Sequence, residues 1–120
     1  MGDIVVWADV PVSDMKRAAA FYEHMTGEPV AIMPGDDPVA VIGTPDSRVS
    51  ADLHTGGKPS HDGATVYFGT GGDIDGMIAR AVEAGGKVLE PKAFMGEMIG
   101  WIAFLEDTEG NRFGLQQPGA

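Results

Sequence analysis

The side chains best suited to chemistry lie in the first half of the chain. Asp52 and His54 alternate along a predicted strand and therefore share one of its faces. A carboxylate or an imidazole there can act as a general base, and together they supply two ligands for a divalent ion. Asp9 and Glu97 are further carboxylates that a relocated metal site would recruit. Since divalent sites normally use three or more protein ligands, Asp52 and His54 alone do not predict one.

Other catalytic arrangements are missing from the sequence. His24 falls off the apolar face of a predicted helix and His61 lies in a polar loop, so we expect both to be solvated. The chain has no cysteine, which excludes a disulfide, a thiolate metal site and a cysteine nucleophile. There is no nucleophile elbow, P-loop or zinc-protease motif. The glycines before Asp73 lack dinucleotide-binding spacing, and Asp73 itself would repel phosphate.

Composition limits the partners and the compartment. The 120 residues suffice for one domain, which we place at 1–120, and the formal net charge of −10 includes only eight scattered Lys and Arg. Such a surface disfavours nucleic acid and anionic membranes as partners. No apolar run approaches the ~20 residues that span a bilayer, and the first residues do not resemble a signal peptide. We therefore expect a cytoplasmic protein.

The elements that position these residues follow one pattern twice, strand-helix-strand-strand-strand, which predicts an α+β fold with module one at 1–59 and module two at 60–120. The predicted strands of module one are Ile4–Val10, Pro29–Met33, Pro38–Ile42 and Arg48–His54, around a helix from Asp14 to Met25 that Ser13 caps. Those of module two are Ala64–Gly69, Lys87–Glu90, Gly100–Leu105 and Asn111–Gln116, around a helix that Asp73 opens. A sheet with one helix leaves its other face open, so the two modules or two subunits must cover each other.

A spacing of 59 residues supports the duplication. It separates Asp14 from Asp73, which open the helices, and Gly27 from Gly86, the second glycine of the Gly85-Gly86 pair that ends the second helix. Apolar residues of the first helix also have apolar counterparts 59 positions later: Met15, Ala18, Ala19 and Tyr22 correspond to Ile74, Met77, Ile78 and Ala81. Val82 extends the apolar face of the second helix. A duplicated unit explains this agreement most simply.

Three motifs carry a family resemblance. They are Asp14 with Arg17-Ala18 and Phe21-Tyr22, then Asp73-Ile-Asp with Ala84–Leu89, and finally the turn Asp107-Thr-Glu-Gly-Asn111. Together they resemble the vicinal oxygen chelate superfamily, which includes glyoxalase I, extradiol dioxygenases and bleomycin- and fosfomycin-resistance proteins. The resemblance implies two βαβββ modules whose curved sheets form an open, barrel-like cavity, with the helices outside. In metal-dependent members this cavity holds a divalent ion that chelates substrate oxygens.

The metal-ligand positions that the resemblance implies carry other residue types here. The first-strand histidine position is Trp7, and the last-strand glutamate position is Gly114. The ligand position of the second module falls on Thr65 or Val66, and the fourth lies somewhere in the Arg48–His54 strand. None of the first three is a standard metal ligand. We therefore expect no metal cofactor, with a divalent ion at a relocated site as the alternative.

The same positions predict a binding cavity of a different kind. Trp7 is either core or a surface for stacking on a flat ligand, and Arg112 pairs either with an anionic ligand or with an acidic side chain. Met95 and Met98 lie in a predicted loop, Pro91–Gly100, that suits a lid or a subunit contact. The predicted ligand-binding residues are Trp7, Asp9, Asp52, His54, Thr65, Tyr67, Met98, Trp101, Arg112, Gly114 and Gln116.

Three functional hypotheses follow. The first is a metal-independent protein that binds a small apolar or aromatic organic molecule. The second is an enzyme, either glyoxalase- or dioxygenase-like with a relocated metal, or a metal-free lyase or isomerase whose general base is Asp9, Asp52 or His54. The third is an interaction module whose cavity is filled by its own aromatic side chains. In each case we expect a homodimer, because open sheet edges favour pairing.

Overall fold

The computed structural model, which describes residues 5–44 and 49–119, contains two successive βαβββ modules, so the predicted α+β class is confirmed. Module one comprises β1 (Trp7–Pro11), α1 (Met15–Thr26), β2 (Val30–Met33), β3 (Val39–Ile42) and β4 (Ser50–His54). Module two comprises β5 (Tyr67–Gly69), α2 (Ile74–Glu83), β6 (Lys87–Phe94), β7 (Trp101–Glu106) and β8 (Arg112–Gln117). The strand orders are β1-β4-β3-β2 and β5-β8-β7-β6, and in both sheets the first strand pairs in parallel with the last. Ile4 and Arg48, at the ends of predicted strands, lie outside the described residues.

Both helices begin as the duplication predicts. The Asp14 side chain accepts from the backbone N of Arg17 at 3.1 Å, and that of Asp73 accepts from Gly76 N at 3.0 Å. The N-cap of α1 is therefore Asp14 and not Ser13, because only a side chain at Asp14 reaches the first-turn N–H groups. Neither α1 nor α2 has the length and apolar sequence that a membrane-spanning helix requires.

The ends of the helices differ by one residue from the predicted spacing. Gly27 follows α1 with φ 73°, in the left-handed region, but after α2 that role belongs to Gly85, with φ 105°. The predicted Gly86 serves close packing instead, because a Cβ there would lie 2.9 Å from the carbonyl O of Glu106. Val82 is 49% exposed and does not belong to the apolar face, since α2 ends one residue later.

The largest difference from the predicted strands is in β6, which continues through Pro91 to Phe94. Irregularities between Val88 and Ala93 interrupt its pairing with β7, which resumes at Ala93 opposite Ile102 and continues to Phe94 opposite Trp101. Proline is compatible with this position because β6 is an edge strand. The predicted loop Pro91–Gly100 is thus reduced to a turn closed by a hydrogen bond from Met95 N to Gly100 O at 2.7 Å.

One hydrophobic core joins the modules. The faces of the sheets that carry Leu53 and Leu115 pack against the helices, and Tyr22 of α1 contacts Phe68 and Phe113 of module two with ring centroids 5.6 and 6.2 Å apart. The Tyr22 hydroxyl donates to Asp107 at 2.5 Å. Burial, followed by the neighbouring Asp107 charge, raises the pKa of Tyr22 well above its usual value, so the phenol stays a donor.

A buried glutamate connects the modules at the start of α1. Glu109, whose side chain is fully covered, accepts from Ser13 N and Asp14 N at 2.9 and 2.8 Å and from Arg17 Nε at 2.7 Å. Burial by itself would raise the pKa of Glu109, but the hydrogen bonds from Arg17, Asp14 and Ser13 outweigh it and lower the pKa to about 2. Asn111, in the same turn, donates to Pro11 O at 2.7 Å. The turn that carried the resemblance therefore fixes module one on module two.

Candidate functional site

The open face of the first sheet brings together four predicted site residues. Asp9 of β1 and Asp52 of β4 are direct cross-strand partners, and His54 is the partner of Pro11. The Trp7 indole Nε1 donates to Asp52 Oδ2 at 2.7 Å. Their strand neighbours Val10, Ala51 and Leu53 are buried beneath the helix, so these four side chains lie on the side away from it.

The surroundings of Asp52 alter its ionisation. Partial burial raises the pKa of Asp52, the hydrogen bond from Trp7 opposes this, and the adjacent Asp9 raises it further. His54 accepts a hydrogen bond from Gly56 N at its Nδ1, 3.1 Å away. A neutral imidazole in this arrangement carries its proton on Nε2 and offers a donor there. Asp52 is therefore a better general-base candidate than His54.

These groups do not assemble into a metal site with the remaining candidate. Within residues 5–44 and 49–119, no three His, Asp or Glu side chains lie close enough to hold an ion. Glu97 lies in the exposed turn after β6, which belongs to the other sheet. An indole N–H at Trp7 is a donor only, which a cation cannot use as a ligand. The side chains at the positions implied by the resemblance do not fit a divalent ion.

On the open face of the second sheet, a tyrosine ring occupies the place of the missing acidic ligand. Tyr67 of β5 is the cross-strand partner of Gly114 in β8. A Cβ added to Gly114 would lie 2.5 Å from a Tyr67 ring carbon, so the ring lies directly over the bare backbone. Tyr67 also meets Phe104 of β7 edge to face, with ring centroids 5.8 Å apart. The glycine here makes room for an aromatic ring.

Arg112 stands beside this pair and already has partners. Its guanidinium lies 3.9 Å from the centre of the Phe104 ring, and its Nη1 donates to Thr65 Oγ1 at 2.9 Å. Glu90 lies 3.4 Å from its Nη2. The predicted acidic partner of Arg112 is therefore present. The contact also shows that Thr65, two residues before Tyr67, directs its side chain to the open face.

The remaining predicted residues are more dispersed. The Gln116 side chain donates to Ile99 O at 3.0 Å, and Met98 is 96% exposed in the turn after β6. Trp101 lies on the same side of β7 as the buried Ala103, packs on the core, and contacts Phe94 with ring centroids 5.4 Å apart. Trp101 is thus on the face opposite Phe104, and the structure does not bring it to Tyr67.

Two residues of this face were not among the predicted ones. Phe104 carries the stacking surface for Arg112 and Tyr67, and Glu90 supplies the acidic partner. The sequence contains one signal for Phe104, because it lies opposite Gly114 once β7 and β8 are paired as a hairpin. No comparable signal marks Glu90, whose position depends on the irregular pairing of β6.

A cleft of about 930 Å³ separates the modules and receives residues from both open faces. Trp7 lines one side and Tyr67 the other, with 40% and 46% of their surfaces exposed. Met77 and Arg80 of α2 line the same cleft. A second pocket of about 140 Å³ lies between β1 and the segment 60–68. The larger cleft has the size of a site for an organic molecule, and its two exposed aromatic rings are suited to a flat ligand.

Comparison with known proteins agrees with this architecture. The model of the glyoxalase-like domain family matches residues 5–116. No protein with a curated description matches the chain. Many solved structures do match, and they include members of the superfamily to which the sequence motifs point.

Three of the solved structures illustrate the range of similar proteins. A glyoxalase/bleomycin resistance protein from Albidiferax ferrireducens is 20% identical, with a TM-score of 0.73 and 97% and 100% of the two chains covered. TnmS3, an antibiotic binding protein from Streptomyces sp. CB03234, is 26% identical, with a TM-score of 0.68 and 98% of each chain covered. A mutant of the fosfomycin resistance protein FosX from Listeria monocytogenes, complexed with Mn(II) and a phosphonic acid, is 12% identical, with a TM-score of 0.71 and 100% and 95% covered.

Proposed function

The chain belongs to the glyoxalase-like domain family, and from that premise we propose that it binds a small apolar or aromatic organic molecule without a metal ion. The site is the cleft between the modules, with Trp7 on one side and Tyr67 on the other. The ligand is held by stacking and by the burial of its apolar surface. This is a binding function, of the resistance or sequestration kind, and does not require a reaction.

The observation that carries the proposal is the replacement of ligating side chains by aromatic rings. Trp7 stands at the implied histidine position with its only polar atom bound to Asp52, and Tyr67 covers Gly114 at the implied glutamate position. Both rings nevertheless remain about half exposed, although burial in the core would be favourable for side chains of this size. Exposed aromatic rings that face one cleft are typical of surfaces that a partner molecule covers.

The structural neighbours support a binding function, but they do not indicate whether a metal ion takes part. TnmS3 is named as an antibiotic binding protein, whereas FosX is named as a resistance protein and was crystallised with Mn(II). The family fold therefore accommodates both kinds of site. For this chain the proposal is supported by three of the implied positions, where Trp7 is aromatic, Gly114 has no side chain and Thr65 is bonded to Arg112.

Titration calorimetry combined with NMR tests the proposal. The probe is 2-naphthamide, a flat neutral aromatic molecule that fits a cleft of this size, added to protein purified without chelator and checked for metal by elemental analysis. We expect saturable binding by metal-free protein and a shift of the Trp7 indole N–H resonance, because this proton lies at the cleft and bonds to Asp52.

Trp101 provides the matched control, since its indole lies on the opposite face of the sheet and must not shift. Trp7→Phe and Trp101→Phe variants assign the two indole resonances, and Trp7→Ala is expected to weaken binding about tenfold through lost stacking. Absence of binding by the folded protein, or one equivalent of tightly bound metal that is required for binding, would contradict the proposal.

A second candidate function is supported by the Asp9–Asp52 pair. A carboxyl group whose pKa is raised, next to another carboxyl and a histidine, is the arrangement that acid–base enzymes use. Under this alternative the protein is a metal-free lyase or isomerase with Asp52 as the base, or a glyoxalase- or dioxygenase-like enzyme if a relocated metal binds there. Any turnover found must fall in Asp52→Asn, and its pH profile must show an acidic limb above pH 3.8, the ordinary value for this group.

We also propose that the protein is a homodimer. The edge strand β6 is exposed along its whole length and presents Val88, Leu89 and Phe94, with Met95 and Met98 in the turn that follows. An open, apolar strand edge favours pairing with a second copy. Light scattering after size exclusion tests this, and Leu89→Lys is expected to shift the mass from dimer to monomer.

A further inference from the structure

Arg80 differs from Arg17 and Arg112, the other arginines among the described residues. Its Nε donates to the Met25 carbonyl O at the end of α1, 3.2 Å away. No carboxylate of the described residues lies within 4 Å of its guanidinium, whereas Arg17 and Arg112 each have an acidic partner. The terminal nitrogens of Arg80 thus have no hydrogen-bond partner within residues 5–44 and 49–119, although the residue lines the cleft between the modules.

A half-buried arginine without an acidic partner is uncommon where acidic side chains are abundant. The chain has 18 Asp and Glu against eight Lys and Arg, so ion pairing is the ordinary outcome. The guanidinium nitrogens of Arg80 that lack a protein partner remain in contact with solvent, and an incoming anion replaces that solvent with charge-assisted hydrogen bonds. The planar guanidinium is also the side chain best suited to a bidentate bond with a carboxylate.

From these contacts we infer that Arg80 receives a carboxylate of the bound molecule, so that the ligand of the cleft is an aromatic acid. The inference depends on the proposed function, because it places the aromatic part of the ligand at Trp7 and Tyr67. Arg112, for which an anionic ligand was one of two predicted partners, is a poorer candidate because Glu90 lies 3.4 Å from its Nη2 and its Nη1 already donates to Thr65. The specificity of the cleft then comes from α2 and not from the open face of the second sheet.

One acidic residue opposes the inference and makes it testable. Glu28 lines the same cleft, is exposed, and lies beyond ion-pair distance from Arg80. Its charge weakens the attraction for an anion through solvent, where such effects are small. Removing the charge at Glu28 and removing the charge at Arg80 must therefore shift the affinity for an acid in opposite directions.

The experiment compares 2-naphthoate with 2-naphthamide, which have nearly the same shape and differ by one charge. Titration calorimetry is expected to show that the acid binds about tenfold more tightly, since a charge-assisted hydrogen bond is worth about 1.4 kcal/mol or more. Arg80→Gln must reduce this preference to near one, whereas Arg80→Lys keeps most of it. Glu28→Gln must increase the preference about twofold. Lys16→Gln, which removes an equal charge on the exposed side of α1, must leave it unchanged.

The outcomes separate this inference from the proposed function. Equal affinity for the two probes, or a preference that survives in Arg80→Gln, overturns the inference and leaves the binding function standing. An equal loss of affinity for both probes in Arg80→Gln also overturns it, because that pattern reflects only the bond to Met25. If neither probe binds the wild-type protein, both the proposed function and the inference are wrong.

Discussion

The two modules start their helices in the same way but are held in place differently. In both, an aspartate caps the helix through the backbone N–H three residues later. The N–H groups of Ser13 and Asp14, just before α1, bond to Glu109 of the other module, whereas that of Ile74, the first residue of α2, bonds to Gln117 of its own module at 2.8 Å. Module two thus supports itself, while module one depends on module two at this end. The two modules therefore share one backbone plan, but the starts of their helices are held by different contacts.

The open faces of the sheets differ as well, in charge. The first carries Asp9 and Asp52 beside Trp7, and the second carries Arg112 beside Tyr67 and Phe104. The aspartates that cap the helices are the same in both modules, whereas these side chains on the open faces are not. The open faces, and not the repeated framework, therefore distinguish the two modules chemically.

The largest expected effect comes from removing the connection between modules. Glu109→Ala deletes the acceptor for Ser13 N and Asp14 N and leaves Arg17 without its partner. We expect a loss of about 3 kcal/mol in the free energy of unfolding, because several bonds to one buried charge are broken. Gln117→Ala, which removes the acceptor for Ile74 N at the start of α2, should cost only about 1 kcal/mol. Urea unfolding measures both.

Glu83→Ala is the matched control for that comparison. Glu83 also pairs with α1, through His24 at 3.2 Å, but both side chains are at least half exposed. Its removal is expected to change the free energy of unfolding by less than about 0.5 kcal/mol. If Glu109→Ala and Gln117→Ala cost the same, the proposed asymmetry between the modules is wrong.

A fall in pH should selectively weaken the contacts that Glu109 makes with the start of α1. The pKa of Glu109 is lowered from 4.5 to about 2 in the folded protein, so its contribution is complete above pH 4.5 and is lost as the pH falls through 2. We expect this loss to reach about 2 kcal/mol, less than the full shift implies because Arg17 is half exposed. Urea midpoints measured from pH 5 downwards should decline more steeply for the wild-type protein than for Glu109→Gln. Parallel curves would show that Glu109 carries no such charge dependence.

The sequence predicted those features that depend on local interactions. Asp14, Asp73 and Gly27 were placed correctly as helix boundaries because a cap requires only the neighbouring backbone. The extension of β6 through Pro91 was missed because it depends on pairing with β7, which overrides the local preference of proline. The one-residue shift from Gly86 to Gly85 arose because α2 is two residues shorter than α1.

The candidate site was harder to predict from the sequence, because it also depends on how the elements pack. The run from Trp101 to Leu105 is apolar on both faces, so alternation could not decide that Phe104 and not Trp101 lies beside Tyr67. Arg80 lies on a helix, and its proximity to the cleft follows from how α2 packs, which the sequence pattern does not specify. Trp7 and Gly114 could be proposed from the sequence because the resemblance fixes their positions along the chain.

A smaller effect is expected where the ring of Tyr67 covers the bare backbone of Gly114. Gly114→Ala places a Cβ 2.5 Å from the ring, and the backbone there requires no left-handed conformation, so the cost is purely steric. We expect about 1–2 kcal/mol, recovered in large part when Tyr67→Ala is combined with it. Gly69→Ala is the control, because a Cβ at that position of β5 meets nothing within 4 Å. Equal costs at the two glycines would contradict the packing described for the second open face.

The smallest effect is expected at the first open face. There the pKa of Asp52 is raised, whereas the pKa of Glu109 is lowered. Burial and Asp9 raise the pKa of Asp52 above 3.8, and the Trp7 indole N–H bonded to Asp52 reports its ionisation. A pH titration of the Trp7 indole resonance should therefore have a midpoint above 3.8, and Asp9→Asn should lower it, since removing a neighbouring charge favours the ionised form. Stability at neutral pH should change by less than about 0.5 kcal/mol, because the pair is partly solvated. A midpoint that is the same with and without the Asp9 charge would show that the two carboxyl groups are uncoupled and would remove the basis for Asp52 as a general base.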